Sequence, residues 1–259
     1  MAKFFEYSLT TQNVDLIAQS ILKYLEEQSI KPQSNPAHQK KCLYAACLNP
    51  HSFCQAQDDL DFKNALTEAN WLLPDGVGVV MASRLLGIPI DRRITGWDLF
   101  IQLSEKVNAA KGFRVFFLGS SNATLEKIAQ RYQLDFPNIE IVGLFSPPYK
   151  KTFTAAEIDE MVKTINQAKP DILWVAMTAP KQEKWIAEVQ NLINTPFAGA
   201  IGAVFDFYSG EIKRPAPIFQ KLGLEWLPRL INEPQRLHQR MTHSAPKFIY
   251  SVAKAWARK

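Results

Sequence analysis

The chain has 259 residues, 47% of them hydrophobic, which is enough to bury one large core and excludes a disordered chain. Thirty Lys and Arg against 25 Asp and Glu leave a net charge of +5, too mild to imply a nucleic-acid partner. The charge is unevenly placed: residues 211–259 hold ten Lys or Arg and three Glu, whereas the preceding 210 residues hold twenty basic and twenty-two acidic side chains. A near-neutral body with a basic tail suggests that the tail meets phosphate groups or a lipid surface, set against a tail that is charged for solubility alone.

Asp15, Lys23 and Glu26 follow the opening Met1–Tyr7, so no signal peptide is expected. No segment has the unbroken apolar length of a membrane span, and any membrane contact is expected to be peripheral. Cys42, Cys47 and Cys54 lack the paired spacing of zinc or redox motifs, which fits a reducing cytoplasm.

In chain order, Val14–Glu27 reads as an amphipathic helix packed by Leu16, Ile17, Ile21 and Leu25. The polar run Gln28–Lys40, with Pro32 and Pro36, reads as a loop before a strand at Leu43–Ala46. Leu72-Leu73-Pro74-Asp75 then leads into Gly76-Val77-Gly78 and a helical pattern through Leu86. Arg114–Leu118 and Asp171–Met177 have the continuous apolar, β-rich look of parallel strands buried on both faces. Each is followed by helix-start chemistry: Gly119-Ser120-Ser121-Asn122 before a helix at Ala123–Tyr132, and Thr178-Ala179-Pro180 before Lys181–Asn191. With Ile139–Leu144 and Phe197–Ile201 as strands and Phe153–Ala168 as a crossover helix, the order is alternating β/α. The predicted fold class is therefore α/β, a Rossmann-like, mostly parallel sheet flanked by helices. After residue 212 the alternation stops and Pro215, Pro217, Pro228 and Pro234 punctuate short helical pieces, predicting a core at 1–212 and a short, helical, basic appendage at 213–259. Its last stretch, Pro246–Lys259, groups Phe248, Ile249, Val252 and Trp256, a helix suited either to a membrane interface or to docking on the body.

The strand-to-helix turns are where such sheets bind nucleotides, because free backbone N–H groups and the helix dipole favour phosphate. Gly119-Ser120-Ser121 is the best such turn, although its Gly also suits a tight turn. Asp75, after a strand and before a helix, suits a general base at the mouth of a cleft, but taken alone it reads first as the N-cap of that helix. The four His residues form no HExxH pair. Asp59-Leu60-Asp61 has DxD spacing in a polar helical stretch expected to face solvent, so no metal site and no cofactor are assigned. A serine hydrolase would need a GxSxG elbow, which is missing, and an NAD-type oxidoreductase a complete GxGxxG with its distant acid.

Taken together, Leu73–Gly78, Arg93–Leu99, Phe117–Gly119, Ala179–Glu183 and Gly202–Phe207 resemble the WecG/TagA/CpsF glycosyltransferases, glycosyltransferase family 26. Lys213–Pro217, Gly223–Leu227 and Glu233–Leu237 continue the resemblance in the same order. It implies inverting, metal-independent transfer of an N-acetylmannosamine-type sugar from a UDP donor to a polyprenyl-diphosphate-linked N-acetylglucosamine, in bacterial surface-polymer synthesis. It places the general base on Asp75 and points to Asn49, Arg93 and Gln182 in the donor pocket, with Gly119 at the phosphate turn. Arg229, Arg236 and Arg240 become candidates for closing over the diphosphate or for contacting phospholipid. The resemblance further implies a peripheral place on the inner face of the cell membrane through the C-terminal tail, and self-association into a homo-oligomer. The chain departs from the family in having Cys47 where Thr is usual; a thiol is a weaker donor than a hydroxyl, so the donor sugar stays open. A noncatalytic membrane-associated nucleotide-sugar binding protein is the rival reading.

Overall fold

The computed structural model describes residues 1–30, 41–213 and 240–258. Its elements are β1 (Ala2–Phe4), β2 (Tyr7–Leu9), α1 (Val14–Ile30), β3 (Leu43–Leu48), α2 (Pro50–Ala56), α3 (Leu60–Thr67), β4 (Trp71–Pro74), α4 (Val77–Leu85) and α5 (Gly96–Ala110). They continue with β5 (Arg114–Gly119), α6 (Asn122–Asp135), β6 (Glu140–Phe145), α7 (Ala155–Ala168), β7 (Ile172–Ala176), α8 (Lys181–Val189), β8 (Phe197–Ala200) and α9 (Val204–Tyr208). A π-helical turn at Arg240–Ser244 leads into the last helix, here α10 (Ala245–Trp256).

Among the described residues eight strands form one sheet in the order β1-β2-β4-β3-β8-β7-β5-β6, parallel except for the β1–β2 hairpin. The α/β expectation holds. The central strands are covered on both faces, so their side chains alternate between two cores: Tyr44, Ala46 and Leu48 point into one, Ala45 into the other. Helices α2, α3, α4, α7, α8 and α10 pack into the first core and α1, α5, α6 and α9 into the second. Crossovers stepping toward the hairpin edge (β3 to β4, β6 to β7, β7 to β8) carry α2/α3, α7 and α8 on the first face. Those stepping the other way (β2 to β3, β4 to β5, β5 to β6) carry α1, α5 and α6 on the second, as right-handed crossovers require.

Local chemistry explains the helix starts. Thr95 with Asp98 and Thr154 with Glu157 form capping boxes for α5 and α7, and the Ser121 hydroxyl accepts from the Thr124 N–H at 3.1 Å to start α6. Three expectations need correction. Helix α1 extends to Ile30, beyond the start expected for the loop, whose residues 31–40 lie outside the described ones. Leu16 is half-exposed, because α1 turns Ile17, Ala18, Ile21, Leu22 and Leu25 inward. In the last helix Phe248 and Val252 are buried, whereas Ile249 and Trp256 face outward with Tyr250. The docked residues are four apart on one stripe; Ile249 lies roughly 100° around the helix from Phe248.

That docking is aromatic. Phe248 meets Phe53 of α2 edge-on at a ring-centroid distance of 5.3 Å and stacks on Phe4 of β1 at 6.3 Å. Such pairs add about 0.5–1.5 kcal/mol each to the area they bury. The end of the chain thus returns to the first third of the fold, beside the Leu48–Pro50 turn.

Candidate active site

The topology makes a crevice. From β5 the chain leaves outward through α6 on one face, and from the adjacent β7 it leaves inward through α8 on the other, so the starts of α6 and α8 flank a gap at the carboxyl ends of the strands. Open parallel sheets bind their ligands at such switch points. A cleft of about 760 Å³ opens there, bounded by the ends of β3, β4, β5, β7 and β8.

Its walls can be built strand by strand. At the end of β4, Asp75 donates its backbone N–H to the Leu48 carbonyl at 2.9 Å, which fixes the turn beside β3 and sets the half-buried Asp75 on the cleft wall. Gly76, at φ 100°, takes the N-cap position of α4, so Asp75 is not the cap of that helix. Asn49 caps α2: its side-chain oxygen accepts from the N–H groups of His51 (3.0 Å) and Ser52 (2.9 Å). Ser52 closes the box by accepting from the Asn49 N–H at 2.8 Å. The Asn49 oxygen is therefore spent on the fold, which leaves the amide NH2 as its other polar group at the cleft.

Cys47, at the end of β3, accepts a hydrogen bond from the Gly96 N–H. Burial, then the negative charges of Asp75, Glu183 and Asp98, push its thiol pKa well up, so it is a neutral thiol at physiological pH. Asp75 and Glu183 both line the cleft, and both act on the Cys47 thiol. Gln182 is buried at 4% exposure and knits two strand ends together: its Oε1 accepts from Met177 N–H (3.2 Å) and Gly202 N–H (3.1 Å). Its Nε2 donates to Glu183 Oε1 at 2.8 Å.

Opposite stands the start of α6. Gly119 is where the sheet and the turn demand glycine: at φ 117°, a Cβ would lie 2.1 Å from the Ala176 carbonyl oxygen of β7. It shapes the turn and leaves Ser120 and Ser121 to line the cleft. The Ser146 hydroxyl donates to the Ser120 carbonyl at 2.6 Å and holds the loop after β6, with Tyr149, over this side. Lys181 is the one Lys or Arg among the described residues lining the cleft. It donates to the Lys150 carbonyl at 2.8 Å and lies 4.8 Å from the Phe153 ring centre; burial lowers its pKa.

Of the expected site residues, the structure brings Asp75, Cys47, Asn49 and Gln182 to one cleft. Arg93 is half-buried in the segment before α5 and does not line it; Gly119 underlies it. Arg229 and Arg236 lie outside the described residues, and of Arg240 the backbone alone is described, opening the π-helical turn. That turn is tied to the cleft: Ser244 Oγ lies 2.7 Å from His51 Nδ1, and the Cys54 thiol donates to the Ser244 carbonyl at 3.2 Å.

Lys181, Glu183, His51 and Asp206 also line the cleft and were not singled out from the sequence. The Pro-Lys-Gln-Glu run was the available signal for the first two, but a Glu in the first turn of a helix ordinarily serves the helix dipole in solvent. Asp59, the first acid of the DxD spacing, caps α3 and pairs with Lys184 at 3.0 Å, while Asp61 is 81% exposed. Among the described residues no group of three or more His, Cys, Asp or Glu is arranged to hold a metal ion, and no helix is long and apolar enough to cross a membrane.

The family model described as Glycosyl transferase WecG/TagA/CpsF family matches residues 16–259. The N-acetylglucosaminyldiphosphoundecaprenol N-acetyl-beta-D-mannosaminyltransferase of Bacillus spizizenii (strain ATCC 23059 / NRRL B-14472 / W23) is 35% identical, over 83% of this chain and 80% of its own length. The protein of the same name from Bacillus subtilis (strain 168) is 33% identical over 91% and 86%, and that from Staphylococcus aureus (strain MW2) 30% identical over 82% and 80%. With a family match over nearly the whole chain and its acid motif set on the wall of a switch-point cleft, the chain belongs to the WecG/TagA/CpsF family of glycosyltransferases.

Proposed function

We propose that the chain transfers an N-acetylmannosamine-type sugar from a UDP donor to N-acetylglucosamine carried on a polyprenyl diphosphate, with inversion and without a catalytic metal. The observation that carries this reading is Asp75 on the wall of a cleft that Cys47, Asn49, Glu183, Ser121 and Lys181 also line. The activity printed for the three relatives agrees with it.

The Asp75 carboxylate accepts the proton of an acceptor hydroxyl as that oxygen attacks the anomeric carbon. The bond from this carbon to the diphosphate oxygen breaks on the opposite side, the configuration inverts, and UDP departs with the bonding pair. Its growing negative charge is met by Lys181 and by the free N–H groups at the start of the 14-residue α6, where Ser121 is the N-cap. Arg229, Arg236 and Arg240 complete that neutralisation or hold lipid phosphate. The outward Ile249, Tyr250 and Trp256 of α10, with Lys254 and Arg258 on the same helical end, suit a seat in the membrane interface next to a lipid-borne acceptor.

The test is UDP release from UDP-N-acetylmannosamine with a lipid-diphosphate N-acetylglucosamine acceptor, chelator present, for wild type and Asp75→Asn. Removing a general base is expected to slow turnover by about 10²–10⁴-fold with donor binding kept. Equal rates in the two proteins would remove Asp75 from the chemistry, and a wild type silenced by chelator would refute metal independence.

A further inference from the structure

Glu183 is 3% exposed and lines the cleft, yet its two carboxyl oxygens are treated differently. Oε1 accepts from Gln182 Nε2 at 2.8 Å, whereas Oε2 is buried without a hydrogen-bond partner among the described residues. Leaving a buried acceptor unmade is costly, and because Glu183 itself lines the cleft, a donor arriving through the cleft is the group that would satisfy it. Gln182 does not reach it: the N–H groups of Met177 and Gly202 fix the Gln182 amide through its oxygen, and its Nε2 donates to Oε1 instead.

Charge narrows what that donor is. Glu183 lines the same cleft as Asp75, and both carboxylates act, with Asp98, on the Cys47 thiol. The cation Lys181 precedes Gln182 at the start of α8. A diphosphate is repelled by paired carboxylates and drawn to the lysine and the helix starts; a sugar ring is uncharged and presents O–H and N–H donors. Bound in that direction, a nucleotide-sugar lays its sugar against Asp75 and Glu183.

We propose that Glu183 Oε2 accepts a hydrogen bond from an O–H or N–H of the transferred sugar, so that Glu183 is a specificity-determining residue that selects the sugar and sets its pose before Asp75. This rests on the nucleotide-sugar reading above and deepens it.

The test compares equilibrium binding of UDP and of UDP-N-acetylmannosamine to wild type and Glu183→Gln from pH 5.5 to 8.5. In the variant the amide oxygen still accepts from Gln182, so the wall is preserved; thermal denaturation checks this, and Glu183→Asp serves as the second variant. The expected result is UDP affinity within twofold of wild type, with UDP-N-acetylmannosamine weakened about tenfold or more, the worth of a hydrogen bond to a charged group. The carboxylate is the better acceptor, and burial lifts the Glu183 pKa to about 7. The wild-type advantage for the sugar nucleotide therefore grows as pH rises through that value, whereas UDP shows no such advantage. Equal weakening of both ligands, or no weakening of either, would overturn the proposal. A wild type that binds neither UDP nor the sugar nucleotide would overturn the nucleotide-sugar reading itself.

Discussion

His51 Nδ1 and Ser244 Oγ lie 2.7 Å apart although 193 residues separate them, and they join the first turn of α2 to the π-helical turn that precedes the last helix. Asn49, which caps that same turn of α2, stands on the cleft wall, so the C-terminal segment and the cleft share one anchor. His51→Ala and Ser244→Ala are each expected to lower stability by about 1 kcal/mol. The double variant should lose less than the sum of the two single losses, because the two side chains share a bond. Urea denaturation of the four proteins measures this; strictly additive losses would contradict the coupling.

Asn49 has two separable duties. Asn49→Ala removes the acceptor for two N–H groups of α2 and is expected to cost about 1–2 kcal/mol. Asn49→Asp keeps an acceptor there, so its unfolding midpoint should stay near wild type while transfer falls, since the NH2 group is gone. Parallel denaturation and UDP-release assays separate the two effects.

Glu183 links stability to pH. Its folded pKa of about 7 lies above the ordinary 4.5, so the folded protein holds its proton more tightly than the unfolded chain. Stability from this residue is intact below pH 4.5, declines as pH rises through the range up to about 7, and is level above, a total of about 3 kcal/mol. Glu183→Gln removes that decline. Melting curves from pH 4.5 to 8.5 should show the variant gaining on wild type as pH increases, and a constant difference would refute the linkage.

Lys181 is expected to bind the diphosphate half of the donor. Lys181→Met should weaken UDP and UDP-sugar alike by about 10–100-fold, the value of a charge-assisted hydrogen bond, with only a small change in melting temperature. Titration calorimetry reads both ligands. This common loss contrasts with the sugar-selective loss expected at Glu183.

Gly119 is expected to matter through the sheet. In Gly119→Ala the new Cβ would strike the Ala176 carbonyl oxygen at a backbone angle that L residues rarely adopt, and stability should fall by more than about 3 kcal/mol. A soluble variant with wild-type melting and selectively impaired donor binding would reverse that assignment.

What the sequence by itself determined is local. The apolar runs that became β5 and β7 are buried on both faces and therefore read as strands without knowledge of their partners. Ser121 is a cap whose chemistry acts within three residues, and the Asp75 and Pro-Lys-Gln-Glu motifs carry the family with them. The short β1–β2 hairpin was illegible, because three-residue strands with one buried aromatic at each side leave no period to read. Tertiary structure alone decided which strand ends meet: β8 inserted between β3 and β7 brings Gly202 against Gln182 and so buries Glu183, a residue whose helix position reads as solvent-facing. It decided likewise that Phe248 turns inward and Ile249 outward, and that His51 finds Ser244. Sequence spacing records the period of burial along one segment, whereas strand order, and with it the company a carboxyl group keeps, depends on contacts between segments far apart in the chain.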